Sequence, residues 1–234
     1  MRSLRNNQNM SIDITFRLSE SFFSRDPQET ALGKKILQHS IILIDEIGFE
    51  AFNFKKLAQH IGSAEKSIYR YFVNKHLLLL FLTSWYWEYV HYLIKINITN
   101  IEDPCIKLKI AINNIVGAST ENPQNSYINE NILHKVIINE GTKSYHTYAV
   151  DQENKAGLFL SYKSVVRTVA DIIEEVNPDF PYSVSLSSNL FEMANNQVFF
   201  AQHLPKLTSI KKNKSKEKEL IEMLNFFTEK LLGK

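Results

Sequence analysis

The sequence of 234 residues predicts an all-α fold, with an N-terminal three-helix helix-turn-helix head and a C-terminal helical bundle. Apolar residues recur with a period of about 3.6 residues, and no stretch alternates as a half-buried strand would. There are only seven glycines and six prolines, which favours long helices joined by short turns. The hydrophobic fraction of 44% is enough to form a core without disulfides.

The head is predicted over residues 28–76, after an N-terminal arm of residues 1–27 that is irregular or holds one short helix. Its first helix runs over about residues 28–47, where the apolar positions follow the helical period, and Gly48 ends it. Asn53 has the residue type of an N-cap. The second and third helices are predicted at residues 54–61 and 64–71.

The remaining residues, 77–234, are predicted to form the bundle. Asn74 caps a long helix over residues 75–98, which is apolar but interrupted by polar side chains, so burial in a helical protein is expected rather than a membrane span. Asp103 and Pro104 begin the next helix, which ends near residue 118. Later helices bring the total to roughly nine and are expected at residues 126–139, 151–177, 184–204 and 215–232.

Three residues in the head have the spacing of a helix-turn-helix. Ala58 is small where one helix crosses another, and Gly62 tolerates the positive φ of the turn. Ile68 supplies the apolar contact of the second helix with the core. The ordered set is more specific than any of its members, because a small residue followed by glycine four positions later is common in helices.

On these residues the chain resembles the tetracycline-repressor (TetR) family of bacterial transcriptional regulators over about residues 28–95. The resemblance implies a DNA-binding head, a homodimer and a variable helical domain that binds a small-molecule effector. Two positions depart from the family pattern: Ala64 replaces the usual Ser or Thr, leaving Ser63 as the alternative cap, and Glu65 is acidic. The matching segments are Gly48-Phe49-Glu50, residues 53–58, Ile61-Gly62, residues 67–72 and Asn74-Lys75, which leads into Leu77-Leu78.

The third helix of the head is predicted to read base edges in the major groove of DNA. Arg70 or Lys66 suits the O6 and N7 atoms of guanine, and Ser67 lies within reach at the side of the same face. Glu65 would weaken binding near phosphates unless it accepts a hydrogen bond from cytosine. Ile68 is expected to point into the core.

Three further residues of the head are predicted to contact the DNA backbone. Asn53 and the free N–H groups at the start of its helix suit a phosphate oxygen. Tyr71 and Lys75 match family positions that hold phosphates, as the resemblance implies. Residues 28–76 contain seven Lys and Arg against five Asp and Glu, so the positive field is modest and the placement of the cations has to provide the attraction.

Aromatic residues on the long helix and on later helices suggest a ligand pocket for an effector of unknown identity, although core packing explains them equally well. A homodimer is expected through the last two helices, where Leu220, Leu224, Phe227 and Leu231 form a stripe at helical spacing. The predicted pocket residues are Trp85, Tyr89, Tyr92, Phe159, Tyr162, Phe191 and Asn195.

Two other classes of function were weighed against a transcriptional regulator. An adaptor or binding protein of the same fold that has lost DNA reading stays open, because Glu65 and the weak field favour it slightly. An enzyme is disfavoured because no catalytic motif is present, and no metal or other cofactor is predicted. A single cysteine, Cys105, and no apolar run over residues 1–16 lead us to expect a cytoplasmic protein without a membrane partner.

Overall fold

The computed structural model describes residues 14–118, 127–213 and 215–233, and these residues form ten α-helices and no strand. The all-α prediction is therefore confirmed. The helices are α1 (Ala31–Ala51), α2 (Phe54–Ile61), α3 (Glu65–Ile68), α4 (Lys75–Ile98), α5 (Pro104–Gly117), α6 (Glu130–Glu140), α7 (Val150–Lys155), α8 (Leu160–Val176), α9 (Ser183–His203) and α10 (Lys216–Leu232).

The second helix of the head has its predicted bounds, whereas α1 begins at Ala31, three residues later than predicted, because Thr30 caps it through the N–H of Gly33. Gly48 has a φ of 75° and breaks α1, so the predicted end lies at the kink and one further turn continues to Ala51. The Asn53 side chain accepts a hydrogen bond from the backbone N–H of Lys56 at 2.9 Å, which is the expected cap of α2. Gly62 ends α2 in the left-handed conformation, with a φ of 65°.

The third helix of the head is shorter than predicted, because only Glu65–Ile68 is α-helical. Its N-cap is Ala64, and no side chain caps it, so Ser63 does not act as the alternative cap. At the other end, the Ile68 carbonyl oxygen accepts from the N–H groups of both Tyr71 and Phe72, which closes a tight turn over residues 69–71. The predicted recognition helix is thus a single α-helical turn followed by a hydrogen-bonded turn over residues 69–71.

Helix α4 is the central element of the structure. The Asn74 side chain caps it through the N–H of Leu77 at 2.9 Å, and the helix has the bounds that the sequence predicts. It packs against α5, α6 and α8, and most of its side chains from residue 78 to residue 91 are buried. Among the described residues, no helix is long and apolar enough to cross a membrane.

The segment predicted as one helix over residues 151–177 is two helices, α7 and α8. Gly157 has a φ of 80° between them, and the N–H of Leu158 bonds back to the carbonyl of Glu153. A left-handed glycine with this bond is a common helix C-terminus. The apolar period continues on both sides of the break, which is why periodicity alone did not reveal it.

Helix α6 begins at Glu130, four residues after its predicted start, because Asn129 caps it through the N–H of Ile132 at 2.9 Å. The predicted start at Ser126 and the predicted loop before it lie outside the described residues. Helices α5, α9 and α10 begin and end within a residue of their predictions. The head, α4 and these later helices fix the positions of the sites described below.

The apolar stripe predicted on α10 as a dimer surface is divided in the structure. Leu220 and Leu224 are buried in the chain's own core, so the assignment of these two residues to an outer interface was wrong. The reason is that α10 packs on α5 and α9 within the same chain. Phe227 and Leu231 remain exposed, and so does Phe226 beside them.

The described part of the predicted N-terminal arm packs on α1 and α4. The Gln28 side chain bonds both the N–H and the carbonyl of Phe16, at 3.1 and 2.9 Å. Phe22 packs edge-to-face on Phe81 of α4. Gly33 of α1 allows this approach, since a Cβ atom there would lie 2.3 Å from the carbonyl oxygen of Pro27.

Candidate nucleic-acid interface and interior pocket

Helix α3 has a polar side that faces solvent and an apolar side that packs on the core of the head. Ile68 is fully buried, which fixes the rotation of the helix and leaves the opposite side toward solvent. Lys66 and Arg70 are exposed, and Glu65 and Ser67 are half-buried beside them. The structure therefore brings together all four predicted base-reading residues, with Arg70 in the turn that follows α3.

Asn53 is exposed at the start of α2, where its side chain is engaged as the helix cap. The first N–H groups of a helix attract anions, so the position is suited to a phosphate oxygen. The exposed Lys55 lies in the same first turn. This end of α2 offers backbone donors and a cation together.

Tyr71 and Lys75, the other predicted phosphate contacts, have partners within the protein. Tyr71 is 3% exposed, and its hydroxyl lies 2.8 Å from the Thr30 hydroxyl at the start of α1. The Lys75 ammonium donates to the carbonyl oxygens of Phe49, Glu50 and Phe52 at 2.8, 3.1 and 3.1 Å. Contact of these two residues with phosphate stays a prediction.

Two other lysines of the head make similar contacts. Lys35 donates to the carbonyl of Ile61 at 2.8 Å, and Lys56 donates to the carbonyl of Ala51 at 2.8 Å. Both acceptors lie at helix C-termini, where carbonyl groups lack partners within the helix and carry partial negative charge. These lysines therefore stabilise the head internally, which leaves the exposed Lys55, Lys66 and Arg70 better placed to face a polyanion.

The head is joined to the bundle by a polar cluster that we call the latch: Phe49, Glu50, Glu140 and Lys143. The Glu140 carboxylate accepts from the backbone N–H of Phe49 at 3.0 Å. The Lys143 ammonium lies 2.7 Å from Glu140 and 3.0 Å from Glu50, and these contacts raise its pKa, Glu140 contributing most. The Glu140 side chain is only 12% exposed, so its contacts are less screened than those of Glu50.

A small interior cavity lies beside the latch, between α4, α6 and α9. The Glu192 carboxylate there accepts hydrogen bonds from the hydroxyls of Tyr145 and Tyr162, at 2.8 and 3.0 Å. Burial raises the pKa of both tyrosines, and Glu192 adds to the rise, so both remain protonated donors. Trp87 stacks on Tyr162 with the ring centroids 4.7 Å apart. The cavity is lined by Thr83, Trp87, Ile137, Ile138, Gly141, Thr142, Tyr145, Glu192, Asn195 and Asn196.

Three of the seven predicted pocket residues lie at or beside this cavity. Asn195 lines it, Tyr162 bonds Glu192, and Phe191 packs on Trp87 with centroids 5.4 Å apart. Phe159 is partly buried and is not among the lining residues.

The other three predicted residues belong to another side of α4. Trp85 stacks on Tyr89 and meets Phe16, while Tyr92 is 44% exposed and also lies near Phe16. The aromatic run therefore divides between two faces of one helix.

Sequence reasoning missed Glu192 and Tyr145 at the cavity. One signal could have revealed the first, because Glu192 is the only Asp, Glu, Lys or Arg in the 21 residues of α9. It also lies between the buried residues Phe191 and Ala194. A charged side chain beside an apolar helix face is usually paired or functional. Nothing comparable marks Tyr145, whose place depends on the turn after α6.

Residues 36–80 match the model of a family described as bacterial regulatory proteins of the tetR family. This match covers α2, α3, most of α1 and the start of α4, which hold the polar face described above. No curated protein sequence matches the chain significantly. The regulators of this family are transcription factors rather than enzymes.

Solved structures share the fold across most of the chain. AibR, crystallised with isovaleryl coenzyme A and operator DNA, is 11% identical with a TM-score of 0.58, over 85% of this chain and 98% of AibR. The fatty acid degradation regulator FadR from Bacillus halodurans is 18% identical with a TM-score of 0.58, over 85% and 93%. The superantigen PfiT is 16% identical with a TM-score of 0.58, over 87% and 97%.

Proposed function

We propose that this chain, which belongs to the TetR family of transcriptional regulators, is a ligand-responsive repressor that binds a palindromic operator as a homodimer. The observation that carries the proposal is the polar face formed by Lys66 on α3 and Arg70 in the turn after it, both exposed, on an element held in place by the buried Ile68. Such a face can enter the major groove while the core of the head stays intact. The chain's place in the cytoplasm follows from this role and is part of the proposal.

The head-to-DNA contacts fall into two groups in this proposal. Lys66 and Arg70 read base edges, with Ser67 and Glu65 at the sides of the same face. Asn53 and the first N–H groups of α2 hold a phosphate. Phosphate contacts supply most of the affinity and base contacts the discrimination.

A homodimer would give the two heads that a palindrome requires. Exposed aromatic and aliphatic side chains on the outer side of α10 support it: Phe226, Phe227 and Leu231 are 56%, 40% and 56% exposed. Together they form an apolar surface beside the chain's own core, which is the kind of surface that association covers. Two recognition elements about 34–36 Å apart would then reach successive turns of the major groove.

The ligand response is proposed to pass through the turn after α6. Gly141, Thr142 and Tyr145 line the interior cavity, while Glu140 at the end of α6 and Lys143 of the turn form the latch with Phe49 and Glu50 of the head. A ligand that displaces this turn would change how the head is held. Its effect is a shift between two populations, one of which places both heads in register with DNA. AibR, which shares the fold, was crystallised with both an acyl coenzyme A and operator DNA.

The test uses fluorescent DNA duplexes taken from upstream of the gene that encodes this chain. Their binding is measured by fluorescence anisotropy at several salt concentrations. We expect binding that weakens steeply with salt, as counterion release requires. The double variant Lys66→Ala/Arg70→Ala should lose preference for one duplex over the others. Lys218→Ala, an exposed change on α10, is the matched control and should bind like the parent protein.

A second candidate function is a binding protein of the same fold that no longer reads DNA. The half-buried acidic Glu65 beside the reading face favours it, and so does the superantigen PfiT, whose chain has the same fold. The anisotropy experiment separates the two candidates. Salt-insensitive or absent binding to every duplex would favour the second.

A further inference from the structure

The Glu192 carboxylate lacks a positively charged partner. Among the described residues, no lysine, arginine or histidine forms an ion pair with it, and both of its protein hydrogen bonds come from the neutral hydroxyls of Tyr145 and Tyr162. Both bonds reach the same oxygen, Oε1. The second oxygen and the net negative charge are therefore available to a partner from outside the chain.

The surroundings of Glu192 suit an organic cation. Trp87 is 6% exposed and lines the cavity, and the rings of Tyr162 and Phe191 pack against it. Aromatic rings attract ammonium groups through their negative faces, and tryptophan does so most strongly. The exposed Thr142 and Asn196 mark the side on which the cavity reaches solvent.

We propose that Glu192 and the aromatic rings beside it bind the cationic group of a small organic effector, an amine or quaternary ammonium compound with an apolar body. This inference rests on the proposed function, since it names the chemical class of the effector. The carboxylate attracts the positive charge, the rings of Trp87 and Tyr145, which line the cavity, contact the apolar body, and Asn195 offers polar contacts. An anionic ligand of the same size would be repelled by the same carboxylate.

Because the cavity is small, binding of a cation there should also move the latch. The space is about 20 Å³, which holds about one water molecule, so a larger cation has to displace part of the wall. Three walls are the helices α4, α6 and α9, whereas the fourth is the short turn at residues 141–145. The turn is the wall that moves most easily, and Glu140 and Lys143 would move with it. Cation binding would therefore loosen the contact with Phe49 and Glu50.

The experiment is isothermal titration of the full-length protein with two probes of similar shape and opposite charge, benzyltrimethylammonium and phenylmethanesulfonate. We expect the cation to bind and the sulfonate not to bind. Glu192→Gln keeps a hydrogen-bond acceptor for the two tyrosines but removes the charge, and should weaken cation binding about tenfold or more. Glu222→Gln, which removes an exposed carboxylate from α10, is the control and should leave it unchanged.

Three results would overturn the inference: equal binding of the two probes, cation binding that Glu192→Gln does not weaken, or binding of neither probe up to millimolar concentration. Circular dichroism checks the fold, and Glu192→Asp, which keeps the charge, should keep the preference for the cation if the glutamine variant is unstable. Duplex binding is measured on the same preparations without probe. Protein that binds DNA but no cation rejects this inference alone, and protein that binds the cation but no DNA rejects the proposed repressor.

Discussion

The lysines of the head and the Glu192 carboxylate of the bundle are held by opposite kinds of partner. In the head, the ammonium groups of Lys35, Lys56 and Lys75 donate to backbone carbonyls at or near helix ends, so each cation joins neighbouring helices. In the bundle, the carboxylate of Glu192 accepts from two tyrosines on different elements, and no cation in the described part of the chain pairs with it. The first arrangement joins a side chain to the backbone, and the second joins only side chains.

This difference indicates which part of the molecule can change shape. Backbone carbonyls at helix ends cannot move without unfolding a turn, so the head should stay rigid and turn as one body. Tyrosine hydroxyls can exchange Glu192 for solvent or a ligand at small cost, because their hydrogen bonds are replaced by others of similar strength. The latch lies between the two regions, and it is where a change in the bundle would reach the head.

The largest effect is expected from acid, which should act on the interior of the bundle. His134 is buried, and its Nδ1 lies 2.7 Å from the Tyr86 hydroxyl; burial, with a smaller contribution from Lys216, lowers its pKa to about 4. Between pH 6.5 and 4 the unfolded chain binds more protons at this site than the folded one. The free energy of unfolding should therefore decrease as the pH is lowered from 6.5 to 4, by about 3 kcal/mol in total.

Urea denaturation at several values of pH checks this prediction. His134→Gln should flatten the pH dependence relative to the parent protein, whereas His146→Gln, at an exposed site, should not change it. An unchanged slope in His134→Gln would mean that the acid sensitivity arises elsewhere. The prediction that burial of His134 in the bundle causes the loss of stability in acid would then be wrong.

The next effect concerns Lys75 and the rigidity of the head. Lys75→Met removes three charge-assisted hydrogen bonds to carbonyls, and we expect the free energy of unfolding to fall by about 2 kcal/mol. Lys55→Met, at an exposed position of α2, is the control and should cost little. Unfolding in urea measures both.

The same Lys75 variant also tests the prediction from sequence that this residue holds a phosphate. If it does, the variant should show a lower salt dependence of DNA binding, by roughly one unit of slope for each phosphate that the lysine no longer neutralises. Unchanged stability with a reduced slope would contradict the internal role. Reduced stability with an unchanged slope would show that Lys75 stabilises the head and does not contact a phosphate.

A smaller effect is expected at the latch. A double-mutant cycle with Glu140→Gln and Lys143→Met should give a coupling energy of about 1 kcal/mol, because Glu140 is only 12% exposed. The Lys218–Glu222 pair is exposed, with its atoms 3.8 Å apart, and should give a value near zero. Equal coupling energies in the two cycles would mean that the Glu140–Lys143 pair stabilises the protein no more than an exposed ion pair does.

The head could be predicted from sequence in detail because its features are local. Asn53, Gly62 and Asn74 act through caps and a turn within a few residues, and the structure has them as expected. The length of α3 could not be predicted, because the turn after it depends on bonds from Tyr71 and Phe72 to one carbonyl.

The sites of the bundle were harder to predict because they depend on contacts between distant parts of the chain. Glu192 meets Tyr145 at a separation of 47 residues, and no local pattern encodes that contact. The face of α4 that carries Trp85 looks the same in sequence as the face that carries Trp87, yet only Trp87 lies at the cavity. The stripe on α10 misled for the same reason, since burial of Leu220 and Leu224 within one chain or between two gives the same period.

The most direct measurement of DNA reading is selection of bound duplexes from a randomised pool by the full-length protein. We expect a palindromic sequence to be enriched, with half-sites about one helical turn apart. Arg70→Ala or Lys66→Ala should relax the preference at one position in each half-site, at a cost of about 1–3 kcal/mol. A pool that shows no enriched sequence, or one whose preference neither variant alters, would contradict the claim that α3 reads DNA.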